Sequence, residues 1–363
     1  MPTFKSINFG CRVNAAETNQ LSQQLIDQGF IFNDQNPDTI IVNTCAITKK
    51  GEYESISKIK KLIKDNPKLK IIATGCANLD KLKGLKNVTI VPKTDINSIY
   101  TPQIKDKFSH TNRYLLKVQS GCTQNCTFCI VPSRRNTLNF LPIDDAVKTV
   151  NSVVDNGYAE VIITGVNLTQ YLPGLSNLVE ELLNKTKIKL ISFGSVPLLC
   201  IDEKFIKLVT ENSRLSTFLH IPLQSGSDKI LKLMHRPYDV KKIKDIFSKL
   251  KSFSIDNKIS PSLLKEGVGG DFDKNIGTEG RLNNKGGVGG GLQYGTDIIV
   301  GFPTETDSDF QETYDLCQSL GFSKIHVFKY SPRPDTIARE LFLQSEKIPK
   351  SELSRRSKLL LHK

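Results

Sequence analysis

The chain has 363 residues, is 38% hydrophobic and 24% charged, and so has the composition of a soluble globular protein with room for two domains. It holds no run of about 18 apolar residues, so no membrane span is expected; its opening, MPTFKSINFGC, lacks a basic region followed by a long apolar stretch, which argues against a signal peptide and for a cytoplasmic protein. The net charge of +13 favours a polyanionic partner such as RNA, although a Lys-rich composition with solvated faces gives the same number.

Residues 1–105 alternate strand and helix patterns. Phe4–Phe9 reads as a strand, and Glu17–Gln28 as a helix with Leu21, Leu25 and Ile26 on one face. Thr39–Val42 is a β-branched strand, Ser55–Leu62 a helix and Lys70–Ala73 a further strand. The alternation predicts an open parallel α/β sheet domain.

Over residues 112–342 the pattern restarts. Strands are expected at Leu115–Val118, Val161–Thr164, Leu190–Phe193, Phe218–Ile221, Thr296–Gly301 and Ile325–Phe328. Helices are expected between them, among them Ile143–Asn156, Leu175–Lys185 and Asp239–Phe253. Six strand–helix units predict a partial (β/α)6 barrel. Residues 259–291 break the rhythm: ten of the protein's 24 glycines fall between Gly267 and Gly291, a composition that cannot bury a core and reads as an inserted peptide. Residues 343–363 are expected to form a basic C-terminal helix whose Arg355, Arg356, Lys358 and Lys363 offer a surface to phosphates.

Eight cysteines occur in a large chain with no export signal, a setting in which reduced, metal-binding cysteines are more usual than disulfides. Cys122, Cys126 and Cys129 form C-x3-C-x2-C immediately after a predicted strand. Three thiolates on one tight loop suit three corners of a four-iron cluster and leave one iron open. A structural zinc site is the alternative, but zinc sites usually draw four ligands from two close pairs. Cys11, Cys45 and Cys76 are distant in sequence, yet each follows a predicted strand, in INFGC, TIIVNTC and IIATGC. The carboxyl ends of strands in an open parallel sheet line one edge, where ligands bind. These three therefore either converge on a second cluster or are three small buried thiols. Gly10 and Gly75 precede two of them and allow close backbone approach.

Seven segments, GCRVNAAET, VNTCAIT, ATGCANL, SGCTQNCTFCIVP, ITGVNLTQY, HIPLQSGSD and GTDIIVGFPTET, together resemble the radical S-adenosylmethionine (SAM) methylthiotransferases over most of residues 4–340. The resemblance implies two [4Fe-4S] clusters, an auxiliary one on Cys11, Cys45 and Cys76 and a radical-generating one on Cys122, Cys126 and Cys129. It implies that one SAM donates a methyl group to sulfur, while a second yields the radical that takes hydrogen from the substrate carbon. The implied partners are the anticodon loop of a tRNA and an electron donor such as a flavodoxin or ferredoxin. SAM contacts are expected at Gly165–Asn167, Gln224–Ser227 and Gly301–Pro303, hence at Gly165, Asn167, Gln224, Ser225 and Gly301. GCRVNAAET looks most like the branch that acts on C2 of N6-threonylcarbamoyladenosine 37; a second branch acts on the isopentenyl form. Arg134 and Arg135 are expected to face RNA or the SAM carboxylate, or else to be a solvated pair. His220 is expected to brace a loop, and Cys200 and Cys317 are expected to be plain thiols.

The sequence departs from the family at several points. The usual RG-x-x-RS gives way to Arg135, Asn136, Asn139 and Phe140, and the acid of G-S-[IL]-E-P is missing where Gly194, Ser195, Val196, Pro197 and Leu198 stand. The glycine-rich segment interrupts the approach to Gly295–Pro303, and no TRAM-type RNA-binding barrel is expected after the C-terminal helix. These departures keep open a degraded paralogue that binds clusters without turnover.

Overall fold

The computed structural model describes residues 1–92, 112–256 and 291–361. Residues 93–105 of the expected first domain, the glycine-rich segment up to residue 290, and Lys363 lie outside the described residues.

The first sheet has the order β2-β1-β3-β4-β5, all parallel, with β1 Thr3–Asn8, β2 Ile31–Phe32, β3 Thr39–Thr44, β4 Lys70–Gly75 and β5 Val88–Ile90. TIIVNT of β3 is buried along its whole length, as a central strand covered on both faces must be. Phe4, Leu25 and Ile41 form the core under helix α1 (Arg12–Asp27). Ile40, Val42, Ile56, Ile59 and Ile71 form the core under α2 (Lys49–Asp65) on the opposite face. Helix α1 starts five residues before the predicted Glu17, because Arg12–Ala16 carry no apolar stripe that the period would register. Instead Asn14, Glu17 and Thr18 are buried polar residues.

The second body is a partial barrel. The strands β6 Arg113–Ser120, β7 Asn139–Phe140, β8 Glu160–Gly165 and β9 Leu190–Phe193 are ordered β7-β6-β8-β9, and only β7 is antiparallel. The strands β10 Phe218–His220, β11 Gln293–Val300 and β12 Lys324–Lys329 continue the parallel run. Alternation sends Leu116, Val118, Ile163, Ile191, Leu219, Ile298 and Ile325 outward into one large core. That core is closed by α3 Ile143–Asp155, α4 Leu175–Lys185, α5 Glu203–Glu211, α7 Val240–Asp256 and α8 Asp307–Leu320, with α6 Asp228–Leu233 beside the cluster loop. Lys117, Gln119, Thr164, His220, Asp297 and His326 occupy the opposite, inner face of their strands. The protein is thus an open parallel α/β domain followed by a partial (β/α)6 barrel.

Two further helices combine an apolar stripe (Phe205, Ile206 and Val209 in α5; Phe310, Leu316 and Leu320 in α8) with a clear cap. In α5 the Asp202 carboxylate accepts from the Phe205 amide at 2.7 Å, and α8 opens with a reciprocal Thr306–Asp309 capping box. The C-terminal α10 (Lys350–Leu361), which follows α9 (Ile337–Gln344), corrects one expectation. Arg356 is 3% exposed and pairs with Glu305 at 2.6 Å, Asp307 at 2.7 Å and Glu352 at 2.8 Å. Its charge is spent on docking α10 against the barrel and is not offered to phosphates.

Candidate metal centres and the cleft between them

Cys11 is the N-cap of α1, Cys45 follows β3 directly and Cys76 follows β4. β1, β3 and β4 are neighbours, so the sheet order places these three residues on one edge. Gly75 makes that edge possible. Its φ of +118° is a backbone that side chains resist, and a Cβ there would lie 2.2 Å from the Thr44 nitrogen. Asn14 sits among the thiols: its Oδ1 is 3.7 Å from Cys11 Sγ and 3.9 Å from Cys76 Sγ, while its Nδ2 donates to Asn43 Oδ1 and the Thr44 carbonyl, both at 2.9 Å. Arg135 Nε donates to Cys76 Sγ at 3.4 Å. Burial pushes the thiols of Cys11 and Cys45 up.

The loop after β6 holds the second triad. Gly121 turns with φ +84°, and a Cβ there would lie 2.0 Å from the Thr137 carbonyl oxygen. Asn167 Nδ2 approaches Cys122 Sγ at 3.6 Å, Arg236 Nη1 donates to Cys126 Sγ at 3.3 Å, and the Val131 amide donates to Cys129 Sγ at 3.4 Å. Burial raises Cys126 and takes Cys129 to about 12.

Both triads fit an iron–sulfur cluster better than a single ion. Among the described residues, the set of three His, Cys, Asp or Glu ligand atoms within 4.8 Å of one another is His220, Asp297 and His326, and neither cysteine triad is that compact. A polynuclear cluster needs its thiolates wider apart than one tetrahedral ion does. Each triad also brings one guanidinium N–H to a sulfur, the kind of contact that tunes such clusters.

The two triads are linked where α1 docks against the barrel: the Arg135 carbonyl accepts from the Cys122 amide at 2.8 Å while the Arg135 Nε donates to Cys76 Sγ. Glu17 of α1, fully buried, receives Arg135 through Nη1 at 2.6 Å and Nη2 at 2.9 Å, with Lys117 Nζ at 3.6 Å. Arg12 Nη1 donates to the carbonyls of Gly194 at 2.5 Å and Phe193 at 3.4 Å, at the point where the sequence lacks its expected acid. Arg333, beyond β12, pairs with Glu52 of α2. Arg135 is therefore neither solvated nor turned toward RNA: it is the buried joint between the two domains.

The expected SAM contacts separate. Asn167 faces the cluster loop, donating to Gln124 Oε1 at 3.0 Å as well as approaching Cys122. Gln224 holds φ +73°, unusual for a non-glycine, with its amide bonded to the Asp297 carbonyl at 2.8 Å. Ser225 turns away from the cleft, its Oγ lying 3.3 Å from Thr313 Oγ1 in α8. A Cβ on Gly165 would lie 2.7 Å from the tip of Leu168, and Gly301 turns with φ +76° beside Leu353 of α10. Cys317 is core, and Cys200 packs beside that core with its thiol pushed by burial to about 12. His220 does more than brace a loop: it joins Asp297 and His326, which the sequence reading passed over because each sits alone in an apolar strand.

A parallel α/β domain whose strand-end cysteines face a cysteine loop on a six-unit partial barrel defines a radical SAM enzyme with a second cysteine site. Comparison agrees: residues 116–274 match the radical SAM superfamily and residues 3–93 match the uncharacterized protein family UPF0004. A Thermotoga maritima protein named threonylcarbamoyladenosine tRNA methylthiotransferase MtaB is 32% identical, over 94% of this chain and 77% of its own. A Thermodesulfovibrio yellowstonii protein named tRNA-2-methylthio-N(6)-dimethylallyladenosine synthase is 29% identical, over 92% and 77%. The fold is also that of the radical SAM methyltransferase TsrM from Kitasatospora setae, at a TM-score of 0.60 and 10% identity, covering 93% of this chain and 77% of that one. The chain belongs to the radical SAM methylthiotransferase family, whose cofactors are [4Fe-4S] clusters and SAM.

Proposed function

We propose that this protein adds a methylthio group to C2 of adenosine 37 in tRNA bearing the N6-threonylcarbamoyl modification. The observation that carries the reading is that Arg135 joins the two cysteine triads, its Nε bonded to Cys76 Sγ and its carbonyl to the Cys122 amide, since methylthio transfer needs a radical source and a sulfur source within reach of one carbon. Cys122, Cys126 and Cys129 would hold the SAM-binding cluster, and Cys11, Cys45 and Cys76 the auxiliary one. When bound, these groups and SAM supply the electron, the methyl group, the sulfur and the radical.

The chain's own residues do the rest. Asn167 and Arg236 fix Cys122 and Cys126, and Asn14 and Arg135 fix the auxiliary thiols. Helix α1, locked by Glu17, packs against β6 and holds the auxiliary thiols beside the barrel loop. Anticodon-loop bases suit such a cleft because they lie outside a duplex and can be exposed. The net charge of +13 suits a phosphate backbone. A flavodoxin or ferredoxin in the cytoplasm fits as the electron source.

The threonylcarbamoyl branch is supported by GCRVNAAET at the auxiliary site and by the name of the Thermotoga relative. Mass spectrometry of tRNA nucleosides from cells with and without the gene tests the reading. The methylthio form of threonylcarbamoyladenosine should depend on the gene. Appearance of the methylthio-isopentenyl nucleoside instead would move the protein to the other branch, and no change in either would mark a copy without turnover.

A further inference from the structure

We propose that His220, Asp297 and His326 form the binding site for the polar N6 substituent of the modified adenosine; this rests on the reading above and names the residues that would enforce it. His220 ends β10, Asp297 lies in β11 and His326 in β12, on three adjacent parallel strands. The register pairs Asp297 with His326 and His220 with Gly295. Leu219, Ile298 and Ile325 between them point outward into the core, so alternation turns the three polar side chains to the inner wall. His220 Nε2 lies 3.0 Å and His326 Nδ1 3.2 Å from the same oxygen, Asp297 Oδ1, and the rings stand 5.2 Å apart. Gly295 makes room for this: a Cβ there would lie 2.9 Å from His220 Nδ1.

The opposite half of the wall is already occupied. Lys117 reaches Glu17 of α1, and Gln119 spends its amide on the carbonyls of Ser120 and Gly121 and its oxygen on the Asn167 amide. On the β10–β12 half the Asp297 and His326 side chains, bonded to each other, keep 23% and 24% of their accessibility. An exposed aromatic, Phe328, follows on the same face of β12.

The chemistry selects between the two substrates. A threonylcarbamoyl group brings N–H donors, a hydroxyl and a carboxylate. An imidazole meets such groups with one ring nitrogen as acceptor and the other as donor. A dimethylallyl group brings only carbon, and covering the part-exposed Asp297 and His326 with it strips their water and returns no hydrogen bond. Sites built to hydrogen-bond a substrate reject analogues that lack the partner.

The test uses the full chain with both clusters reconstituted, and anticodon stem–loops that carry threonylcarbamoyladenosine, isopentenyladenosine or plain adenosine. Affinities come from fluorescence anisotropy, turnover from nucleoside mass spectrometry. Wild type should bind the threonylcarbamoyl stem–loop best. His326→Phe, which keeps a flat ring but no polar atom, should weaken that binding by about tenfold or more, raise KM more than it lowers kcat, and leave the other two affinities and both cluster spectra unchanged. His326→Asn, which keeps a polar partner for Asp297, should restore most of the preference. Equal preference in wild type and His326→Phe, with clusters intact, overturns the proposal. So does one divalent ion per chain beyond the cluster irons that disappears with His326→Phe, because the trio would then be a metal site. A wild type that binds selectively through His326 yet transfers no methylthio group refutes the proposed activity and leaves the binding site standing.

Discussion

Cys122, Cys126 and Cys129 share one loop, whereas Cys11, Cys45 and Cys76 come from three strand ends that only the sheet order brings together. The guanidinium beside each triad differs in the same sense. Arg236, next to Cys126, is braced by a neutral partner, Tyr238 Oη, at 2.9 and 2.7 Å. Arg135, next to Cys76, is braced by the carboxylate of Glu17 on another domain. The barrel triad is thus a local construction whose cation, among the described residues, is braced by a phenol and not by a carboxylate. The auxiliary triad depends on long-range architecture, and its cation is already neutralised.

The sharpest way to break this contrast is at Glu17. With the acid gone, buried Arg135 and Lys117 lose the carboxylate that balances their charge, which should cost roughly 3–5 kcal/mol. Glu17→Ala should therefore lower the denaturation midpoint of the cluster-free protein steeply, and Glu17→Leu combined with Arg135→Leu should recover much of the loss. A midpoint that barely moves in the single variant would show that the interdomain pair is idle.

Next in size is Gly75. Gly75→Ala must clash with the Thr44 backbone, whereas Gly84, with φ +84° and nothing within 4 Å, offers a control of similar handedness. Gly75→Ala should lose the auxiliary iron and keep the barrel iron. Gly84→Ala should keep both and cost only the backbone strain, about 1–3 kcal/mol. Iron analysis with thermal unfolding reads both outcomes.

Arg236 sharpens the electrostatic half of the comparison. Arg236→Gln removes a charge and weakens a donor to Cys126, so the barrel cluster should become harder to reduce in an electron paramagnetic resonance titration while the auxiliary potential holds. A shift of both clusters together would mean that the two environments are not independent.

The smallest effect is acid-dependent. Burial pushes Asp309 up, but its ion pair with Lys229 and its bonds from Thr306 and Ser227 outweigh this and hold it at about 2. Its folded value lies below the unfolded one, so its stabilisation is present above about pH 4 and fades as pH falls toward 2. Asp309→Asn should cost at most about 2 kcal/mol at neutral pH, less after solvent screening of half-exposed Lys229, and should flatten that acid slope in the cluster-free protein.

Legibility followed the same division. The barrel triad was readable because its spacing is local, and the strands were readable because both sheets are built from apolar runs. The auxiliary triad needed a topological step, from strand ends to a shared edge. What stayed hidden was long-range and polar. Nothing near Arg135 in sequence announces Glu17. Arg356 looked like a tail charge because Glu305 and Asp307 come from another element. Asp297 and His326 show no pattern until parallel register sets them opposite each other.

The central claim, two separate triads each fit for a cluster, is tested most directly by iron and sulfide analysis with Mössbauer spectroscopy of the anaerobically reconstituted chain. The comparison is wild type against a variant with Cys122, Cys126 and Cys129 all changed to Ala. The account predicts about eight irons in the first and about four in the second, all in a four-iron cluster. Four irons in the wild type, or none in the variant, would contradict it.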